Sequence, residues 1–136
     1  MRILFIDDDE GFLDMMAGIL SQKGYDIVKA TDGKLAREAL DGEKIDLIIS
    51  DVFMPTLDGI RFHSFVREST SITDVPFIFI SAHGDEHLKN LTVTSPNDYF
   101  LRKPVAVEDI LALINNVIGT SSQRDAGGGD IAPARD

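Results

Sequence analysis

Short apolar runs ending in polar residues alternate along this chain with apolar positions spaced three and four apart. Ile3 to Ile6 is an unbroken apolar run closed by Asp7, Asp8 and Asp9. A run without polar alternation predicts a strand buried on both faces. Phe12, Met15, Met16 and Ile19 then recur at helical spacing, and Gly24 supplies a stop. Tyr25 to Ala30 is a second strand candidate, and Leu35, Ala36, Ala39 and Leu40 mark a short helix ending near Gly42. Ile45 to Ser50 predicts another buried strand, which runs into Asp51; Pro55 and Gly59 break the loop after it. Phe62, Phe65 and Val66 predict a third helix, and Pro76 opens the buried strand 77–81.

Leu88 and Leu91 place a fourth helix over 85–94, although Thr92, Val93 and Thr94 favour helix only weakly. Tyr99 to Leu101 predicts the last strand, ended by Lys103-Pro104. Val107, Ile110, Leu111, Ile114, Val117 and Ile118 form an unbroken helical stripe, the clearest helix in the chain. Five strands alternating with five helices imply an α/β fold: a doubly wound, five-stranded parallel sheet with helices on both faces. Chemistry in such sheets collects at the carboxyl ends of the strands. After Gly119 the composition turns to Gly, Ser and Asp, with Ile131 as the only large apolar residue. Such a segment buries too little surface to offset its ordering entropy. The expected organisation is one domain over 1–119 and a flexible tail or truncated linker over 120–136.

Composition narrows the function. A chain of 136 residues suits one domain. The net charge is -10, with 13 acids against six bases in residues 1–60, so a cation site would lie in the N-terminal half. A field of that sign repels phosphate backbones and disfavours direct nucleic-acid binding. No cysteine is present, which removes disulfides and thiolate chemistry. No apolar run approaches the roughly 18 residues of a membrane span. The opening residues do not resemble a signal peptide, so a cytoplasmic location without membrane contact is expected.

Four strands end in residues able to do chemistry: Asp7, Asp8 and Asp9, then Asp51, Ser81 and Lys103. Singly, each reads as a helix cap, a turn residue or a solvated side chain. Parallel strands bring them to one edge, and caps do not call for a lone Lys opposite clustered carboxylates. Hard oxygen ligands with an incomplete shell suit Mg²⁺, and a carboxylate beside that metal can act as nucleophile towards a phosphoryl group. The Lys ammonium would stabilise the transferring group.

The segments ILFIDDDE, IDLIISDVFMPTLDG, FIFISA and YFLRKPV resemble the receiver domain of bacterial two-component response regulators. The resemblance covers residues 1 to about 119. It implies a flavodoxin-like strand order of 2-1-3-4-5. It makes Asp51 the phosphoacceptor in a Mg²⁺-dependent reaction. Asp8 would hold the metal directly, Asp7 largely through water, and the Phe53 carbonyl would be a further ligand. Ser81 would bond the phosphoryl group, Lys103 would pair with its oxygen before a cis Lys103-Pro104 bond, and Phe100 would be the aromatic switch. Asp9 would cap the first helix. Phe53 and His83 would flank the path of the water that hydrolyses the acyl phosphate. The implied partners are a sensor histidine kinase or histidine phosphotransfer protein, and a downstream protein met by the face of the fourth helix, fifth strand and fifth helix. The module would be a signalling domain assisting its own phosphorylation and dephosphorylation, not an enzyme acting on outside substrates.

Three other readings compete with this one. Aspartyl-phosphate hydrolases carry a second acid two residues past the nucleophile, where Phe53 stands. A flavin binder would want a Ser/Thr/Gly loop after the first strand. An adaptor working without phosphorylation would have no use for the full Asp8, Asp51, Ser81 and Lys103 set. His83 and His87 have a zinc-compatible spacing but no third ligand. Ser95-Pro96-Asn97 replaces the small-residue turn usual before the fifth strand, leaving the output face open.

Overall fold

A computed structural model describes residues 1–52, 59–69, 73–81, 90 and 93–125. Five strands form one parallel sheet: β1 (Arg2–Ile6), β2 (Asp26–Ala30), β3 (Leu47–Asp51), β4 (Phe77–Ser81) and β5 (Asp98–Arg102). Their order is β2-β1-β3-β4-β5, the flavodoxin-like arrangement. Four helices lie among the described residues: α1 (Glu10–Gln22), α2 (Gly33–Gly42), α3 (Gly59–Glu68) and α4 (Val107–Asp125). The expected helix over 85–94 lies almost wholly outside the described residues. The chain divides into two compact units, Met1–Pro104 and a second beginning at Val105. The sheet belongs to the first. In the second, α4 buries Ile110, Ile114 and Val117. Its helical backbone continues to Asp125, beyond Gly119 where the composition changes. A formed helix gains one hydrogen bond for each residue it adds, so modest propensity is enough to prolong it.

The apolar runs are strands because neighbouring elements cover both faces. In β1, β3 and β4 nearly every side chain is buried, whereas the edge strands β2 and β5 are only partly covered. Leu4, Ile6, Ile48, Phe77 and Phe79 on one face join Ala36 of α2 and Phe62 and Val66 of α3 in a single core. Each fully buried side chain of this kind contributes about 1.5–3 kcal/mol. The edge strand β2 carries exposed charges held in ion pairs: Asp26 with Arg2 and Lys29 with Asp14, both at 2.8 Å.

The buried stripe of α1 differs from the expected one. Leu13, Met16, Ala17 and Leu20 are buried, while Met15 is 51% exposed. Two overlapping stripes share Met16, and the sheet takes the one displaced by a residue. In α2, Leu35 is likewise exposed while Ala36 is fully buried. Gly24 ends α1 as expected, at φ +98°, in the left-handed region that favours glycine.

A polar cluster fastens α3 to the amino end of β5. Asp98, whose side chain is fully buried, accepts at Oδ1 from Arg67 Nη2 (2.6 Å) and meets His63 Nε2 (2.8 Å). Its Oδ2 accepts from the backbone N–H groups of Thr94 and Ser95, both at 3.0 Å. Burial alone would raise the Asp98 carboxyl, but the His63 and Arg67 contacts outweigh it and hold it well below the usual carboxylate range. The buried His63 ring packs against Phe77 and Phe79, at 4.9 and 5.0 Å. Arg67 also donates from Nη1 to the carbonyls of Thr73 and Val75.

Candidate phosphoacceptor site

The carboxyl ends of β1, β3, β4 and β5 deliver the expected residues to one edge. Asp7 follows β1 and continues its ladder through a 3.1 Å bond from its N–H to the Ala30 carbonyl. That placement buries its carboxylate, whose Oδ1 accepts from the Asp9 N–H at 2.9 Å. Asp9 caps α1 as expected, accepting from the Phe12 N–H at 3.1 Å. Asp8 between them is exposed. Asp51 is the last residue of β3 rather than the first residue beyond it, and its side chain is 12% exposed. Asp7, Asp8 and Asp51 each offer one oxygen, and these oxygens lie within 4.8 Å of one another.

Lys103 reaches this cluster from the end of β5. Its Nζ lies 2.9 Å from Asp7 Oδ2 and 3.8 Å from Asp51 Oδ2. Its backbone N–H donates to the Ser81 carbonyl at 2.8 Å, which ties Lys103 to the end of β4 one position past the Ser81–Arg102 register pair. The Lys103-Pro104 bond is cis, as expected. Ser81 is fully buried, and Phe100 is half-buried against the core beside Phe79. Phe53 and His83 lie outside the described residues.

Gly59 lets α3 begin against the end of β3. A Cβ there would stand 2.3 Å from the Asp51 carbonyl oxygen and 2.9 Å from the Val52 Cα. Only glycine lets α3 start this close to the strand that carries Asp51, and its N–H bonds the Val52 carbonyl at 2.6 Å.

The electrostatics follow from crowding. Burial and the neighbouring Asp7 push the Asp51 carboxyl up to about 6, against the opposing pull of Lys103. Burial works to lower the Lys103 ammonium, but the hydrogen bond and charge of Asp7, with Asp51, hold it above its ordinary value. Three hard oxygen donors, one of them exposed, fit a hydrated Mg²⁺ that takes one or two carboxylates and keeps its remaining positions for water or phosphate oxygens.

One neighbour was not legible as part of the site. The Lys103 Nζ stands over the Phe12 ring, 4.8 Å from its centroid. Phe12 belongs to the apolar stripe of α1, and nothing in that spacing points to a lysine far along the chain.

Comparison with known proteins agrees with this geometry. Residues 3–115 match the model of the response regulator receiver domain. The chain is 31% identical over 113 residues to the uncharacterized transcriptional regulatory protein YrkP of Bacillus subtilis, covering 83% of this chain and 47% of that protein. It is 30% identical over 120 residues to the alkaline phosphatase synthesis transcriptional regulatory protein PhoP of the same organism, covering 88% and 49%. The chain thus spans about half the length of these curated relatives. Among solved structures it resembles the chemotaxis response regulator CheY4 of Vibrio cholerae, with a TM-score of 0.79 and 27% identity over 85% of this chain and 97% of that one. Among the described residues no helix is long and apolar enough to cross a membrane. On the match of its sequence and the order of its sheet, the chain belongs to the response regulator receiver domain family.

Proposed function

We propose that this receiver domain accepts a phosphoryl group on Asp51 and thereby switches its interaction surface. The observation that carries the reading is the position of Asp51: largely desolvated, grouped with Asp7 and Asp8, and 3.8 Å from the Lys103 ammonium. An oxygen of Asp51 would form a bond to phosphorus as the phosphorus–nitrogen bond of a phosphohistidine breaks and the departing imidazole takes up a proton. Lys103 would pair with a phosphoryl oxygen, and the hydroxyl of Ser81, whose carbonyl accepts from the Lys103 N–H, would bond another. Asp7, Asp8, Asp51 and the Phe53 carbonyl would hold Mg²⁺, which when bound offsets the negative charge of the carboxylates and the phosphoryl oxygens. Ser81 and Phe100 are the proposed switch pair. Phe53 and His83 are the proposed tuners of the lifetime of the phosphorylated state.

The donor is a sensor histidine kinase or a histidine phosphotransfer protein, and the output is a downstream protein rather than nucleic acid touched by this domain. Incubation with acetyl phosphate and Mg²⁺ is expected to raise the intact mass by one phosphoryl group. Asp51→Asn should abolish the increase. Asp8→Ala should lose both the Mg²⁺ dependence of labelling and any rise in melting temperature on adding Mg²⁺. Undiminished labelling of the Asn variant would refute the assignment.

A further inference from the structure

We propose that Phe12 is a positioning residue for Lys103, holding its ammonium at the mouth of the site through the face of the ring. This inference rests on the reading of Asp51 and Lys103 given above and names a residue that reading does not use. Four contacts close a circuit at the ends of β1 and β5. Asp7 Oδ1 accepts from the Asp9 N–H, and Asp9 Oδ1 accepts from the Phe12 N–H. The Phe12 ring lies 4.8 Å beneath Lys103 Nζ, which donates back to Asp7 Oδ2 at 2.9 Å. The ring also meets the buried Phe5, in an edge-type contact at 6.1 Å. Phe12 is therefore fixed at its backbone by the cap and at its ring by the core, with its π face towards the cation.

The arrangement has a use because Lys103 stands nearer to Asp7 than to Asp51. Engaging the Asp7 carboxylate with a cation, directly or through water, weakens its claim on the ammonium. A lysine on a flexible stem would then swing to solvent. An aromatic face attracts it without offering an anion to compete for the metal or the phosphoryl group. The ring thus keeps the ammonium within reach of Asp51 while its partner changes. An aliphatic side chain would fill the same volume without that attraction.

The test compares wild type, Phe12→Leu and Phe12→Tyr by the rate of labelling with acetyl phosphate in the presence of Mg²⁺. In that reaction an Asp51 oxygen forms the bond to phosphorus, the bond to the acyl oxygen breaks, and acetate leaves with the electron pair. Phe12→Leu is expected to slow labelling about threefold to tenfold, the fold-change corresponding to a partly desolvated cation–π contact. Phe12→Tyr keeps the ring face and should label at close to the wild-type rate. In a Lys103→Ala background, Phe12→Leu should have no further effect. A wild-type rate in Phe12→Leu, an equally slow Phe12→Tyr, or an equal further loss without Lys103 would each overturn the inference. Absence of labelling in the wild type would instead overturn the reading of Asp51. The contact then has its own readout: the Lys103 ε-methylene protons should lose their ring-current shift in Phe12→Leu, and an unchanged resonance would overturn the contact.

Discussion

Removing Asp98 should cost the fold about 3 kcal/mol, although the residue sits at the end of the sheet opposite Asp51. The carboxylate is fully buried and serves two kinds of donor at once. Asp98→Ala strips His63 of its partner, Arg67 of its 2.6 Å bond from Nη2, and the Thr94 and Ser95 N–H groups of their acceptor. Breaking a buried pair on one side costs about 3–5 kcal/mol. The lower end applies, because Arg67 keeps the carbonyls of Thr73 and Val75 and Thr94 is exposed to water. Asp98→Asn should recover little. Its amide nitrogen would face donors whichever way it turned, towards Arg67 on one side or the two backbone N–H groups on the other. A loss of ~3 kcal/mol corresponds to a fall of about 10 °C in Tm for a domain of this size.

Urea and thermal unfolding at neutral pH measure both variants. Acid titration supplies a second arm. The folded carboxyl is held below its unfolded value, so its contribution is complete above about pH 5 and is lost as the pH falls below about 4. The stability gap between wild type and Asp98→Ala should therefore narrow on acidification. A deficit under about 1 kcal/mol at neutral pH, or a gap that widens in acid, would refute the account.

Two further outcomes are expected. The folded Asp51 carboxyl is raised from 3.8 to about 6, so its charged form opposes folding above that range and the penalty vanishes below about pH 4. The shift sets a ceiling of ~3 kcal/mol, which water at the partly open site reduces; in chelator at pH 7.5, Asp51→Asn should be about 1–2 kcal/mol more stable than wild type by urea unfolding, with no gain at pH 4. Gly59→Ala should cost about 2–4 kcal/mol and lower labelling of Asp51, since the added Cβ would drive α3 away from the end of β3; equal stability and labelling would refute this.

The sheet was legible because its strands are buried on both faces and so read as unbroken apolar runs; 77–81 coincides with β4. The site was legible for a related reason. Parallel strands put their carboxyl ends together, so Asp7, Asp51, Ser81 and Lys103 share an edge although they lie far apart in sequence. Residues whose meaning depends on partners in other elements were not legible. No spacing along the chain singles out His63, Arg67 or Asp98, which lies just ahead of the expected strand 99–101. Only the fold brings them within hydrogen-bond distance, across 31 to 35 positions. The face of α1 failed for a different reason: two stripes of similar apolar content overlap, and periodicity alone does not choose between them.

The ion pairs along β2 bear on how the protein behaves when crowded. An edge strand presents unpaired backbone groups to any second copy, a route to edge-to-edge aggregation. Here Asp26 and Lys29 put exposed charges on that strand, each tied to a neighbour at 2.8 Å. A second copy adding a strand would have to desolvate part of both charges. Salt weakens this guard along with the mutual repulsion of chains carrying a net charge of -10, because the Debye length falls to about 3 Å at 1 M. Low ionic strength is therefore the condition in which concentrated samples should remain monodisperse.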